Sequence, residues 1–213
     1  MASDGRGEEL LGLFQSLRAE LDAAHRAREQ GLAACRRTIR SCGVAIRAVH
    51  RREPDAVERH TKEAHDALRE AQDALAPHPG VAHAGFLHDA EKEYAEAVLT
   101  AALVAGAPLP TREDVGVGVA AWLGGLAEAA SELRRHLLDR IRAGELEAGE
   151  ALLAAMEDVY DLLVTVDYPD ALTGGLRRST DALRAVLERS RADVTTTVIQ
   201  TRLQQALRDR ASG

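Results

Sequence analysis

Aromatic side chains are scarce: Trp, Tyr and Phe together make up 3% of the 213 residues. The core must then be built from Ala, Leu and Val, and base-stacking recognition on aromatic platforms is disfavoured. Cysteine is nearly absent, with only Cys35 and Cys42. Seven residues apart on one helix they would stand about 10 Å apart along its axis, too far to bridge. Lacking a CxxC and any matching histidine spacing, they read as small buried hydrophobes rather than zinc ligands. No apolar run approaches the ~20 residues of a membrane span. MASDGRGEELLG has no basic region followed by an apolar block, so a secretory signal is not expected and a cytoplasmic location is. Strand alternation, repeats with periods of 20–50 residues, GxxxxGK[ST], GxGxxG and GxSxG are all missing, which excludes solenoids and the common phosphate-loop and nucleophile-elbow enzymes.

What remains is a chain of 46% hydrophobic composition rich in Ala, Leu, Arg and Glu, residues that favour helix. Apolar spacing predicts an all-α protein folded as one domain over 1–213, with a bundle of about six to seven helices and a long first helix. The expected helices are 8–52, 54–76, 82–105, 117–143, 146–166, 176–193 and 194–209, with 1–7 and 210–213 expected to be disordered. Prolines punctuate them: Pro54 opens the second, Pro77 and Pro79 end it, and Pro108 and Pro110 break the chain after the third. Thr111 with Glu113 and Asp114 reads as a helix start. In the first helix Leu32, Cys35, Ile39, Cys42, Ile46 and Val49 alternate steps of three and four, the pattern of a packing seam. Trp122 reads as a packing residue.

Net charge is −7, but its distribution is uneven. Between Arg26 and Arg52 eight arginines face the single acid Glu29, a local +7 that leaves −14 for the rest of the chain. Arg36, Arg40, Arg47 and Arg51 fall within about 60° of arc on that helix. Such a stripe is either a solvated, salt-bridged face or a track for phosphates, whose oxygens suit planar guanidinium groups.

The acids are placed where acid is costly. In 91–106, EKEYAEAVLTAALVAG, Glu93 sits within the row Ala90, Ala97 and Ala101, and Glu96 lies only about 60° round the helix. A carboxylate on an apolar face costs several kcal/mol unless it is paired, and a bound metal is one such partner. Glu128 and Glu132, one turn apart, form a second acidic pair. Two helices each offering two carboxylates can build a hard-cation site. On the second of them Glu128, Glu132 and His136 lie roughly opposite the stripe Leu126, Ala130, Leu133 and Leu137, as on an exposed face. Yet Ala121, Gly124, Gly125 and Ala129 beside them would let another backbone approach. The other histidines, including His50, fall at no ligand spacing and read as surface or satisfied side chains.

Three segments resemble the translin superfamily, specifically its TRAX (translin-associated factor X) branch and prokaryotic relatives. KEYAEA at 92–97 resembles the family's EYVEA helix, WLGGLAEAASELRR at 122–135 its YLLGVADLTGELMR, and LTGGLRRSTDALRAVLE at 172–188 its C-terminal helix. AVHR after Arg47 matches more weakly. The resemblance spans nearly the whole chain in the same helix order. It implies a seven-helix protomer in a closed homo-oligomer, octamer-like, that binds single-stranded RNA or DNA inside. For the TRAX branch it implies Mg²⁺-dependent (or Mn²⁺-dependent) endoribonuclease activity, with the catalytic and metal-binding acids falling on Glu93, Glu96, Glu128 and Glu132. Two departures stand out: the family's Asp is Glu128 here, and Gly116 and Gly118 occupy a stretch where an ordinary helix is expected.

The competing readings are a translin-like protein that binds nucleic acid without cutting it, and an assembly module whose acids make salt bridges between helices. A redox di-metal bundle is disfavoured, because it wants Glu-x-x-His pairs that neither acidic pair supplies.

Overall fold

The computed structural model describes residues 4–212, and side chains over 6–211. Among the described residues there is no strand. Six long helices and three single-turn ones follow in order: α1 (Asp4–Arg51), α2 (Pro54–Leu75), α3 (Pro79–Ala82), α4 (Phe86–Ala105), α5 (Arg112–Val115), α6 (Val119–Arg142), α7 (Leu146–Leu163), α8 (Asp170–Thr173) and α9 (Leu176–Ser212). The all-α expectation with a long first helix holds.

Turn chemistry sets the boundaries. Arg52 adopts φ 60° and ends α1, with its N–H and that of Glu53 returning to the carbonyls of Val49 and Ala48. Pro54 then starts α2 at the first turn, where a missing N–H costs nothing. Thr111 and Asp114 exchange side-chain and backbone hydrogen bonds in a capping box that opens α5. Gly116 closes α5 at φ 73°, a left-handed conformation that explains a glycine there.

The α1–α2 hairpin packs on α4, α4 packs on α6, and α6 carries α7 and α9. Small residues dominate the central layer: Ala34, Cys35 and Cys42 of α1, Ala90, Ala95 and Ala97 of α4, and Ala121, Ala127, Ala129 and Ala130 of α6 are all buried together. Leu133, Leu137, Met156, Leu187 and Val194 form a second cluster further along α6. Trp122 packs against the first cluster and donates its indole N–H to the Pro110 carbonyl.

Several expectations are corrected. The boundary placed between 193 and 194 does not exist: α9 is one helix, because nothing there is a breaker and Val194 continues the buried face. The third long helix starts at Phe86 rather than 82, since Gly85 at φ 97° interrupts it after the single turn α3. Ile39 is 38% exposed; Thr38 takes its place in the buried face of α1, donating to the Ala34 carbonyl. The face of α6 bearing Glu128, Glu132 and His136 is not a free surface but lies against α4 and α1. Asp4–Gly7 and Arg210–Ser212, placed in disordered ends, are helical, while 1–3 and 213 lie outside the described residues.

Towards the outer ends of α1 and α9 rows of apolar side chains are exposed. Leu10, Leu13, Phe14, Leu17 and Leu21 of α1 are each about half exposed or more, as are Ile199, Leu203 and Leu207 of α9.

Candidate metal centre

Close contact between α4 and α6 brings the acids together. A Cβ on Gly125 would lie 2.7 Å from Ala95 Cβ, 2.8 Å from the Glu96 nitrogen and 2.9 Å from the Lys92 carbonyl oxygen. Only a residue without a side chain lets the two backbones meet there. Glu93 and Glu96 on one helix and Glu128 on the other each present a carboxylate oxygen, and all three lie within 4.8 Å of one another. Glu96 is buried, whereas Glu93 and Glu128 are partly exposed.

The electrostatics follow from that crowding. Burial, then the charges of Glu128, Glu93 and Glu132, push the Glu96 carboxyl up to about 8 against the smaller opposing effect of Lys92. Glu93 is also raised, chiefly by burial, with Lys92 opposing. Lys92 Nζ donates to Glu128 Oε1 at 2.6 Å. Burial pulls its ammonium down, but the Glu128 hydrogen bond and the surrounding acids outweigh it, and the net shift is upward. One lysine against three clustered carboxylates leaves negative charge uncompensated, and three hard oxygen donors suit Mg²⁺ or Mn²⁺.

Glu132 falls outside the tight three-carboxylate set. Its Oε2 accepts from His50 Nε2 of α1 at 2.7 Å, and His50 Nδ1 stands 3.1 Å from His136 Nε2. The two imidazoles stack with centroids 5.0 Å apart. Sequence reading missed Lys92, His50 and His136. For His136 a signal existed, one turn beyond Glu132 on the same stripe; for His50, 82 residues from Glu132, spacing offered none and the weak AVHR match gave it no role.

Glu91 has a structural task. Its carboxylate accepts from the Gln72 side chain at 2.8 Å and from the Gly118 N–H at 3.3 Å, tying α2 and α4 to the start of α6. A Cβ on Gly118 would meet Glu91 Oε2 at 3.4 Å, close to ordinary contact with a flexible side chain, so the latch does not itself require glycine there.

Arg36, Arg40, Arg47 and Arg51 are all exposed on α1. Beside them a groove between α1 and α2 is lined by Arg37, Arg40, Glu63, Asp66 and Glu70, and Arg37 pairs with Glu70. That part of the stripe has acidic company of its own.

Solved structures share this arrangement of helices. AfC3PO in a complex with duplex RNA matches with a TM-score of 0.78 and 29% identity, covering 88% of this chain and 97% of that one. The chain has the C3PO fold. AfC3PO alone superposes with a TM-score of 0.79 at 28% identity, over the same 88% and 97%. Apo-NeC3PO has a TM-score of 0.78 at 16% identity, covering 86% and 96%, a likeness of fold alone. Both are translin-family proteins. The uncharacterized protein MJ0175 of Methanocaldococcus jannaschii is 26% identical over 183 residues, 85% of this chain and 81% of that protein. No family model matches. Among the described residues no helix is long and apolar enough to cross a membrane.

Proposed function

We propose that this chain is a divalent-metal-dependent endoribonuclease of the TRAX type, acting on single-stranded RNA inside a homo-oligomer. The observation that carries the reading is the meeting of Glu93, Glu96 and Glu128 within 4.8 Å across the α4–α6 contact. These three would hold Mg²⁺ or Mn²⁺. A bound cation there supplies a lowered pKa for an attacking water and neutralises charge building on the phosphodiester.

The chain's own residues do the rest. Lys92, donating to Glu128, keeps an ammonium against the cluster that a divalent cation would displace. Glu132 stands beside the donor set but outside it, with a side chain 37% exposed, and is suited to take the proton from the attacking water. Arg36, Arg40, Arg47 and Arg51 would hold the RNA backbone without reading sequence. The exposed apolar rows on α1 and α9 favour further copies of the chain, an octamer-like shell being the expected form. AfC3PO is seen with duplex RNA, so strandedness belongs in the test.

A non-cleaving RNA- or single-stranded-DNA-binding protein is the second reading. It is favoured by the Lys92–Glu128 pair, which already places a cation against the cluster. Labelled single- and double-stranded RNA incubated with Mg²⁺ or Mn²⁺, beside chelator and the Glu96→Gln and Glu128→Gln variants, separates the two. Cleavage that needs metal and is lost in both variants supports the nuclease. Binding without cleavage supports the second reading, and cleavage equal in the variants removes the site.

A further inference from the structure

His50 and His136 belong to none of the roles above, yet both are withdrawn from water. The His50 side chain is 3% exposed and His136 is 4% exposed. Burying two imidazoles is costly unless their nitrogens are engaged. Their hydrogen bonds run in one line from α6 to α1 and back to α6. His136 Nε2 meets His50 Nδ1 at 3.1 Å, and His50 Nε2 meets Glu132 Oε2 at 2.7 Å.

The chemistry of the donors restricts where the protons sit. An ionised carboxylate only accepts, so His50 Nε2 carries a hydrogen aimed at Glu132. At 3.1 Å, His50 Nδ1 and His136 Nε2 share one hydrogen between them, because two facing N–H groups would repel. In either arrangement of that shared hydrogen, Nε2–H remains on Glu132. Both nitrogens of His50 are engaged at once, so turning the ring over would break both contacts. Among the described residues, the hydrogen bond that holds the Glu132 carboxylate comes from His50, through Oε2.

We propose that His50, held in place by His136, is a positioning residue that fixes the Glu132 carboxylate in the orientation needed to take a proton during RNA cleavage. This rests on the nuclease reading, and in particular on Glu132 as the proton acceptor. Partners of this kind that orient a functional carboxylate from behind typically contribute on the order of 10- to 100-fold to activity.

The test compares His50→Leu, which removes the donor, with His50→Gln, whose side-chain amide can still donate from near the Nε2 position. His50→Leu should lower kcat by on the order of 10- to 100-fold while KM and Mn²⁺ affinity stay within about twofold, and His50→Gln should recover most of kcat. Equal loss in both variants, or loss confined to Mn²⁺ affinity, would overturn positioning. ¹⁵N-histidine NMR gives a readout independent of cleavage, and for the unmodified protein independent of variant folding too. His50 is expected with Nε2 protonated, and its signals are expected to move in Glu132→Gln and in His136→Leu. A bare Nε2, or signals indifferent to Glu132, would overturn the proposal even where RNA is cut. RNA left intact by the unmodified protein, with the expected NMR pattern, would remove the nuclease reading and leave the orientation of Glu132 by His50 standing.

Discussion

Raising the pH should destabilise the metal-free protein, and a divalent cation should reverse the loss. Glu96 is ordinarily an acid of 4.5 and is pushed to about 8 in the fold, first by burial and then by Glu128, Glu93 and Glu132. Between those values the folded state holds a proton that the unfolded state has released. Stability therefore falls as pH rises from about 4.5 and reaches its floor near 8. At ~1.4 kcal/mol per pH unit the full interval corresponds to an upper limit of about 5 kcal/mol. Glu93 and Glu128 are partly exposed, so solvent and small shifts would cut this to roughly 2–3 kcal/mol. For a chain of this length that is roughly 5–10 °C in Tm. His136 works against it at the acid end: burial, then His50, lowers its pKa, so its contribution to stability is lost as pH falls below 6.5. The assay is scanning calorimetry from pH 5.5 to 9 on wild type and Glu96→Gln, in chelator and in saturating Mn²⁺. Subtracting the variant isolates Glu96 from His136. In chelator the difference should slope downwards with pH, and in Mn²⁺ it should flatten. A variant that keeps the wild-type slope would refute the assignment of the cost to Glu96.

Other consequences follow from the same geometry. Gly125→Ala forces a Cβ against Ala95, the Glu96 nitrogen and the Lys92 carbonyl, two of them backbone. It should cost about 2–4 kcal/mol in urea denaturation and weaken Mn²⁺ binding, whereas a neutral result would mean that the α4–α6 contact has slack. Lys92→Met removes the cluster's internal cation, and Mn²⁺ should then bind more tightly by on the order of tenfold; weaker binding would make Lys92 a support of the site rather than a competitor. Replacing Arg36, Arg40, Arg47 and Arg51 by Gln should weaken RNA binding and flatten its salt dependence by up to roughly three in log–log slope. An unchanged slope would return the stripe to a solvated face.

Much of this molecule could be read from residue order, because its helix signals are local. Prolines, glycines and the Thr111–Asp114 box act on their own turns, so the long helices fall close to their expected bounds. The split at 193–194 was an error of emphasis: the loss of strong periodicity there reflects a helix leaving the core, not ending. Within the site, Glu93, Glu96 and Glu128 were legible because acid on an apolar or small-residue face needs a partner. Gly125, beside Glu128, carried the matching clue that another backbone comes close. The separation of Glu132 from the other three was not legible, since it depends on a histidine from α1 that shares no spacing with it. Lys92 was hidden for a similar reason: adjacent to Glu93 in sequence, it reaches across to α6.

The central claim is that Glu93, Glu96 and Glu128 together grip a divalent cation, and Mn²⁺ titration followed by electron paramagnetic resonance tests it without reference to RNA. The prediction is saturable binding that strengthens as pH rises through 8, as the Glu96 proton is released, and that is lost in both Glu96→Gln and Glu128→Gln. Binding that never saturates, or that is the same in wild type and both variants, would contradict it.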